Sequence, residues 1–244
     1  MSAPTPIEGM MRRLKLGSLA RQWRSVEHEN NEQHMAELLC LEIEPRKANR
    51  TNQLVKSAGF SVLKTPGSFG WGSGIELPAS ISRGDMERAG FVDRKGNLVF
   101  MGSVGTGKTH LATALAIKAC EAGKRAKFFT AASLGNTLLE KRDSGMLGRF
   151  MSTLENTGLL AIDEVGFVPL HKDSAELVFQ VVSERYEKKS LIITSNLELS
   201  QWGGVFGDGR LVAAMVDRLV HHSHIAIFSG ESYRLAASLR RLSQ

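Results

Sequence analysis

Cysteine is nearly absent from this chain of 244 residues: there are two, Cys40 and Cys120. They lie far apart in segments of helical pattern and are expected to be idle thiols in a reducing compartment. No apolar run approaches the roughly 20 residues that cross a bilayer. Met1 to Met10 has no basic segment leading into an apolar core, so a secretory signal is not expected and the cytoplasm is. Internal repeats and low-complexity tracts are also missing. What remains is an ordinary globular composition, 42% hydrophobic and 23% charged, enough for a packed core.

The net charge of +6 is unevenly spread: +3 over residues 1–65, zero over 66–209 and +3 over 210–244. A basic surface attracts nucleic acid by releasing counterions, although solvated helix faces carry such an excess equally well.

Residues 10–58 read as helices. Leu14, Leu16, Leu19 and Trp23 form one apolar group, and Met35, Leu38, Leu39, Leu41 and Ile43 a second stripe near helical spacing. Pro45 and the basic run 46–50 are expected to interrupt or restart this pattern. The expected organisation is a helical unit over 1–64, a Gly/Pro-rich linker over 65–78 and an α/β domain over 79–244. Phe69 and Trp71 are expected to dock the linker on the domain that follows. From residue 97 short apolar strands alternate with helices. Strands are expected at 98–101, 126–129, 158–162 and 191–194, and helices at 109–122, at 131–142 with Ser133 as its cap, and at 173–188. A final helix, strand and helix cover 211–219, 225–228 and 233–242. Alternation of this kind predicts a mostly parallel sheet covered on both faces.

The chemistry starts after the first of these strands. Gly102, Ser103, Val104, Gly105, Thr106, Gly107, Lys108 and Thr109 form a complete phosphate-binding loop. Its glycines let successive N–H groups turn inward, and the following helix adds its positive end. Lys108 is placed for the β- and γ-phosphates of ATP and the Thr109 hydroxyl for Mg²⁺. A second apolar strand delivers Asp163 and Glu164 at its carboxyl end, where open α/β sheets hold ligands. Asp163 fits the Mg²⁺-holding role and Glu164 that of the base that polarises the attacking water. The strand expected at 191–194 ends at Ser195-Asn196, where Asn196 is placed for the γ-phosphate or the water. An arginine is expected to meet the charge of the transition state, with Arg210, Arg218 and Arg234 as candidates. His221, His222 and His224 resemble a metal cluster but read better as a packed or hydrated turn. Lys141, Arg142 and Arg149 are candidate DNA contacts or a solvated face. No spaced carboxylate triad lies outside the nucleotide pocket, so DNA breakage is not expected of this chain.

These segments together resemble the IstB-type transposition helpers, AAA+ ATPases of insertion sequences similar to the DnaC-type helicase loaders. The resemblance rests on the loop continuing as Lys108-Thr-His110, on Ile162-Asp-Glu-Val-Gly-Phe-Val-Pro-Leu170, Phe179-Gln-Val-Val-Ser-Glu-Arg-Tyr186, Ile193-Thr-Ser-Asn196 and Asp217-Arg-Leu-Val-His-His222. It covers nearly the whole chain, and the stretch 162–196 and the Asp217–His222 segment are its most specific parts. It implies an AAA+ fold with a small helical N-terminal domain, and His110 among the nucleotide-binding residues. It also implies a homo-oligomer with ATP sites between subunits, assembled on double-stranded DNA, that recruits a partner transposase. Asn196 then matches the first sensor, Arg234 the second, acting in cis, and Arg218 the finger acting in trans. The turn Gly207-Asp-Gly-Arg210 departs from the family pattern, which leaves Arg210 competing with Arg218. Two other readings stand beside this one: a replicative helicase loader, and a nucleotide-gated DNA scaffold with negligible turnover.

Overall fold

The computed structural model describes residues 6–26, 30–60, 69–71, 74–207, 209–230 and 232–233. They divide into two compact units, Met1–Gln53 and Leu54–Gln244.

The smaller unit is helical: α1 (Pro6–Arg13), α2 (Gly17–Gln22), a 3₁₀ turn (Trp23–Ser25) and most of α3 (Asn31–Ala58). The break expected at Pro45 does not occur, and α3 runs through it. Pro45 removes one ladder bond, but the helix is held on the turns that precede it. Leu38 is buried before it, and Glu42, also buried, accepts N–H bonds from Ser18 and Leu19 at 2.9 and 3.0 Å. The basic run that follows contains good helix formers on an exposed face. Those N–H bonds, Leu19 first, and Arg46 at 2.7 Å hold the Glu42 carboxyl below its ordinary value.

The larger unit contains a six-stranded sheet. Its strands are β1 (Ile75–Glu76), β2 (Asn97–Gly102), β3 (Ala126–Thr130), β4 (Leu159–Val165), β5 (Ser190–Ser195) and β6 (Ser223–Phe228), in the order β1-β6-β2-β5-β4-β3. All pairs are parallel except the short antiparallel edge of β1 on β6, a strand that the sequence pattern did not announce. The helices are α4 (Arg83–Glu87), α5 (Gly90–Asp93), α6 (Lys108–Glu121), α7 (Ala131–Asp143), α8 (Leu147–Glu155), α9 (Lys172–Arg185), α10 (Gly203–Phe206) and α11 (Gly209–His222).

Side-chain alternation divides the core. Leu98, Phe100, Leu159, Ala161 and Ile192 pack on one face with α6. Val99, Leu160, Ile162, Leu191 and Ile193 pack on the other with α7, α9 and α11. Burial on both faces is why these strands read as continuous apolar runs. The cap of α7 is Thr130, whose hydroxyl accepts from Ser133 N–H at 3.1 Å, in place of the expected Ser133. Thr130 has the extended backbone of a strand end, which a capping residue needs, whereas Ser133 is already helical. Phe69 is buried and Trp71 packs beside it on the α6 face, so the linker aromatics dock on the core. No described helix is long and apolar enough to cross a membrane.

Candidate functional site

The parallel strands β2, β4 and β5 end side by side, and their carboxyl ends carry the chemistry. After β2 the chain turns sharply at Gly102, where any Cβ would lie 2.0 Å from the Phe228 carbonyl oxygen. Gly107, with φ +100, then caps α6. Only glycine fits both positions. Lys108 is buried, and its Nζ donates to the carbonyls of Gly102 at 2.6 Å and Ser103 at 2.7 Å. The loop is tied internally by Thr106 Oγ1 donating to Ser103 at 2.8 Å, and Val104 is exposed at its tip. His110, half-buried in the first turn of α6, meets the Phe69 ring edge-on at 5.4 Å.

Thr109 Oγ1 donates to Asp163 Oδ1 at 2.9 Å. This bond joins the end of the phosphate-binding loop to the end of β4, 54 residues on. Asp163 is buried, and the same oxygen accepts from Thr194 Oγ1 on β5. A hydroxyl and a carboxylate in contact at a loop of this type are a hard-oxygen pair that fits Mg²⁺. Glu164 is exposed, with φ +59, and its N–H donates to Thr194 Oγ1 at 3.0 Å. Asn196 follows β5, the strand between β2 and β4. Its Oδ1 is buried and accepts no hydrogen bond among the described residues, which leaves it available to a donor such as water. The sequence-derived residues of loop, β4 end and β5 end therefore converge. Thr194, which bridges them, had no sequence signal beyond its place in the strand.

The arginines separate. Helix α11 leads without a loop into β6, whose first residue, Ser223, pairs with Asn97 at the start of β2. Arg218 precedes that junction by five residues, about 7 Å of helix, so it is tied in sequence to the end of the sheet where β2 begins, while the loop follows the other end of β2, about 17 Å along the strand. It is exposed and sits over the Tyr186 ring at 5.8 Å. Arg210 lies in the first turn of α11. Arg234 is outside the described residues, but the chain just before it is anchored at the loop, since Tyr233 N–H donates to the Gly105 carbonyl at 3.0 Å.

Of the DNA candidates, Lys141 is paired with Glu140 at 3.2 Å. Arg142 pairs with Asp173 at 2.9 Å and Asp143 at 3.2 Å, and those hydrogen bonds, Asp173 first, raise its pKa. Arg149 is exposed on α8 and has no ion pair among the described residues. His221 and His222 meet edge-on at 4.5 Å, but His222 and His224 have separate polar partners. His222 bonds Glu187 at 3.0 Å, and His224 bonds Ser80 at 2.7 Å while burial lowers its pKa. No metal-capable group of three forms among the described residues.

Against this geometry, the family model described as IstB-like ATP binding protein matches residues 9–241. The chain belongs to the IstB-like ATP-binding family. Among curated relatives of this IstB-like chain, the IS21 putative ATP-binding protein of Pseudomonas aeruginosa is 34% identical over 235 residues, 94% of this chain and 88% of that protein. The IS5376 putative ATP-binding protein of Geobacillus stearothermophilus is 34% identical over 229 residues, 91% of each. A solved replication initiator DnaA, bound to AMPPCP and single-stranded DNA, aligns with TM-score 0.55 at 22% identity, over 68% of this chain; the IstB-like chain spans 50% of that one. The DnaC helicase loader aligns with TM-score 0.50 at 24% identity, over 62% of this chain and 92% of that one. The fold is thus that of AAA+ P-loop ATPases, and ATP is the nucleotide ligand that the family supports.

Proposed function

We propose that this IstB-like protein hydrolyses ATP, assembles through its ATP sites into a homo-oligomer on double-stranded DNA in the cytoplasm, and recruits or regulates a partner transposase. The observation that carries the reading is the bond from Thr109 to Asp163 at 2.9 Å with Glu164 adjacent: a magnesium-type oxygen pair beside an exposed carboxylate. When bound, magnesium supplies charge neutralisation of the β- and γ-phosphates. Thr109 and Asp163 would hold it.

The chain's own residues supply the rest. The backbone of 102–107 and the start of α6 receive the phosphates, and Lys108 turns from the carbonyls of Gly102 and Ser103 to their oxygens. Glu164 takes a proton from the attacking water. Asn196 orients that water through its amide oxygen, or the γ-phosphate through the N–H donors of the same amide. Arg218, tied in sequence to the far end of its own sheet, acts on a neighbouring subunit's γ-phosphate, and Arg234 acts in cis. The relatives' names place them in insertion sequences, which favours a transposase over a replicative helicase as partner. The unit 1–64 is assigned to assembly or partner contact, 65–78 to the linker and 79–244 to the ATPase. Arg149 is the foremost DNA contact, since Arg142 and Lys141 already face carboxylates.

The test is duplex binding at fixed salt with ATP, with ADP and without nucleotide, with size read by light scattering. Large assemblies on duplex DNA with ATP alone support the reading. A protein that stays small and ignores duplex DNA in every state moves the helicase loader ahead.

A further inference from the structure

Strands β4 and β5 pair with Ile162 opposite Ile193 but Val165 opposite Ser195. One residue more is used on β4 than on β5, and the surplus falls at Asp163 and Glu164. Glu164 takes up the irregularity with a left-handed φ of +59. An extra residue of this kind re-aims a side chain and recurs beside active sites. A non-glycine residue holds such a backbone only where its surroundings fix it. The Glu164 carbonyl accepts the Phe167 N–H at 3.2 Å, and on the N–H side one hydroxyl holds it. Thr194 Oγ1, on a buried residue, accepts the Glu164 N–H at 3.0 Å and donates its own proton to Asp163 Oδ1.

We propose that Thr194 is a positioning residue for ATP hydrolysis, its hydroxyl setting the direction in which the Glu164 carboxylate leaves the end of β4. This rests on the reading of Glu164 as the group that takes a proton from water. The two acids depend on Thr194 unequally. Asp163 keeps a second hydroxyl, that of Thr109 at 2.9 Å, when Thr194 is changed. The backbone N–H of Glu164 bonds only Thr194 among the described residues. Losing the hydroxyl therefore frees the base and leaves the magnesium-holding pair in place, so turnover and nucleotide binding separate.

The experiment compares full-length Thr194→Val, Thr194→Ser and Glu164→Gln. Each is checked by thermal unfolding, by affinity for a fluorescent ATP analogue with magnesium, and by steady-state phosphate release on duplex DNA. Thr194→Val is expected to keep its affinity within about twofold and to lose about ten- to a hundredfold in kcat, the scale of a displaced catalytic group. Thr194→Ser is expected to recover most of that loss. If the valine variant does not fold, Thr194→Cys, which keeps the volume but bonds weakly, takes its place with the same expectation. Wild-type turnover in Thr194→Val beside an inactive Glu164→Gln overturns the role of Thr194 and leaves that of Glu164 standing. Wild-type turnover in Glu164→Gln removes the reading of Glu164 and this proposal with it. Equal losses of affinity and turnover in Thr194→Val, both restored by serine, make the residue structural and also overturn it.

Discussion

Replacing Arg185 with methionine removes a buried guanidinium that ties together the starts of the two strands whose far ends carry the site. Arg185 is 2% exposed. It donates to the carbonyls of Leu154 at 2.7 Å, Thr157 at 3.0 Å and Ser190 at 2.9 Å, so the entry to β4 and the first residue of β5 share one clamp. Burial pushes its pKa down from 12.5 to about 10. With the folded value depressed, the fold disfavours the cation. The stabilising contribution is complete only above the ordinary pKa, is lost as pH falls through about 10, and at neutral pH leaves a desolvation cost of about 3 kcal/mol. Against that stand three hydrogen bonds from a charged donor, each about 1.5–3 kcal/mol, whose carbonyl acceptors stay buried when the arginine goes. Methionine recovers the desolvation cost and loses the bonds, a net destabilisation of about 2–6 kcal/mol. For a unit of this size, at about 2–4 °C per kcal/mol, that lowers the melting temperature by roughly 4–24 °C. Thermal unfolding of the full-length variant, following the transition of the larger unit, measures it. A variant as stable as the parent, or more so, would refute the reasoning and show that removing the buried charge outweighs its bonds, as happens when whole ionic groups are exchanged for apolar ones.

Four further outcomes are expected. Lys108→Ala should abolish binding of a fluorescent ATP analogue, and unchanged affinity would show that the loop is not the phosphate site. Arg218→Ala and Lys108→Ala should each lack hydrolysis alone yet regain it when mixed, with roughly a quarter of sites active in a randomly mixed head-to-tail assembly; inactivity of every mixture would count against action in trans. Acid should loosen the helical unit, because the Glu42 carboxyl sits below its ordinary value; its contribution holds above that value and is lost as pH falls through the lowered one. Circular dichroism of wild type and Glu42→Gln over an acid titration measures this, and identical profiles would rule it out. Arg149→Glu should weaken duplex binding and flatten its salt dependence, and an unchanged salt slope would remove Arg149 from the DNA surface.

The legible parts of the sequence were those where chemistry restricts residue type. The loop 102–109 admits few other residues, and the strands read well because burial on both faces demands runs such as Leu159-Leu160-Ala161-Ile162. What stayed hidden depends on pairing between distant residues. The Glu164 irregularity exists only relative to β5. The roles of Thr194 and Arg185 depend on what lies across from them, and Arg185 within Phe179–Tyr186 gives no hint that it is buried. β1 is too short to carry a pattern, and α3 passes Pro45 because Glu42 is anchored on α2. In each case local preference was overridden by a contact made elsewhere.

The manner in which Arg218 is held bears on where it acts. Exposed arginines of this chain commonly face carboxylates: Arg83 meets Glu87 at 2.8 Å and Arg142 meets Asp173 at 2.9 Å. Arg218 instead lies over the Tyr186 ring, which is braced by His222 edge-on at 5.0 Å, with His222 in turn on Glu187. An aromatic face orients a guanidinium without neutralising it, whereas a carboxylate would have to be displaced before the charge could meet a phosphate. The loop of the same chain follows the other end of β2. A guanidinium oriented on a ring face rather than held by a carboxylate is consistent with the proposed action on a second copy's phosphates. The same geometry makes Tyr186→Phe, which keeps the ring face, a milder change than Tyr186→Ala.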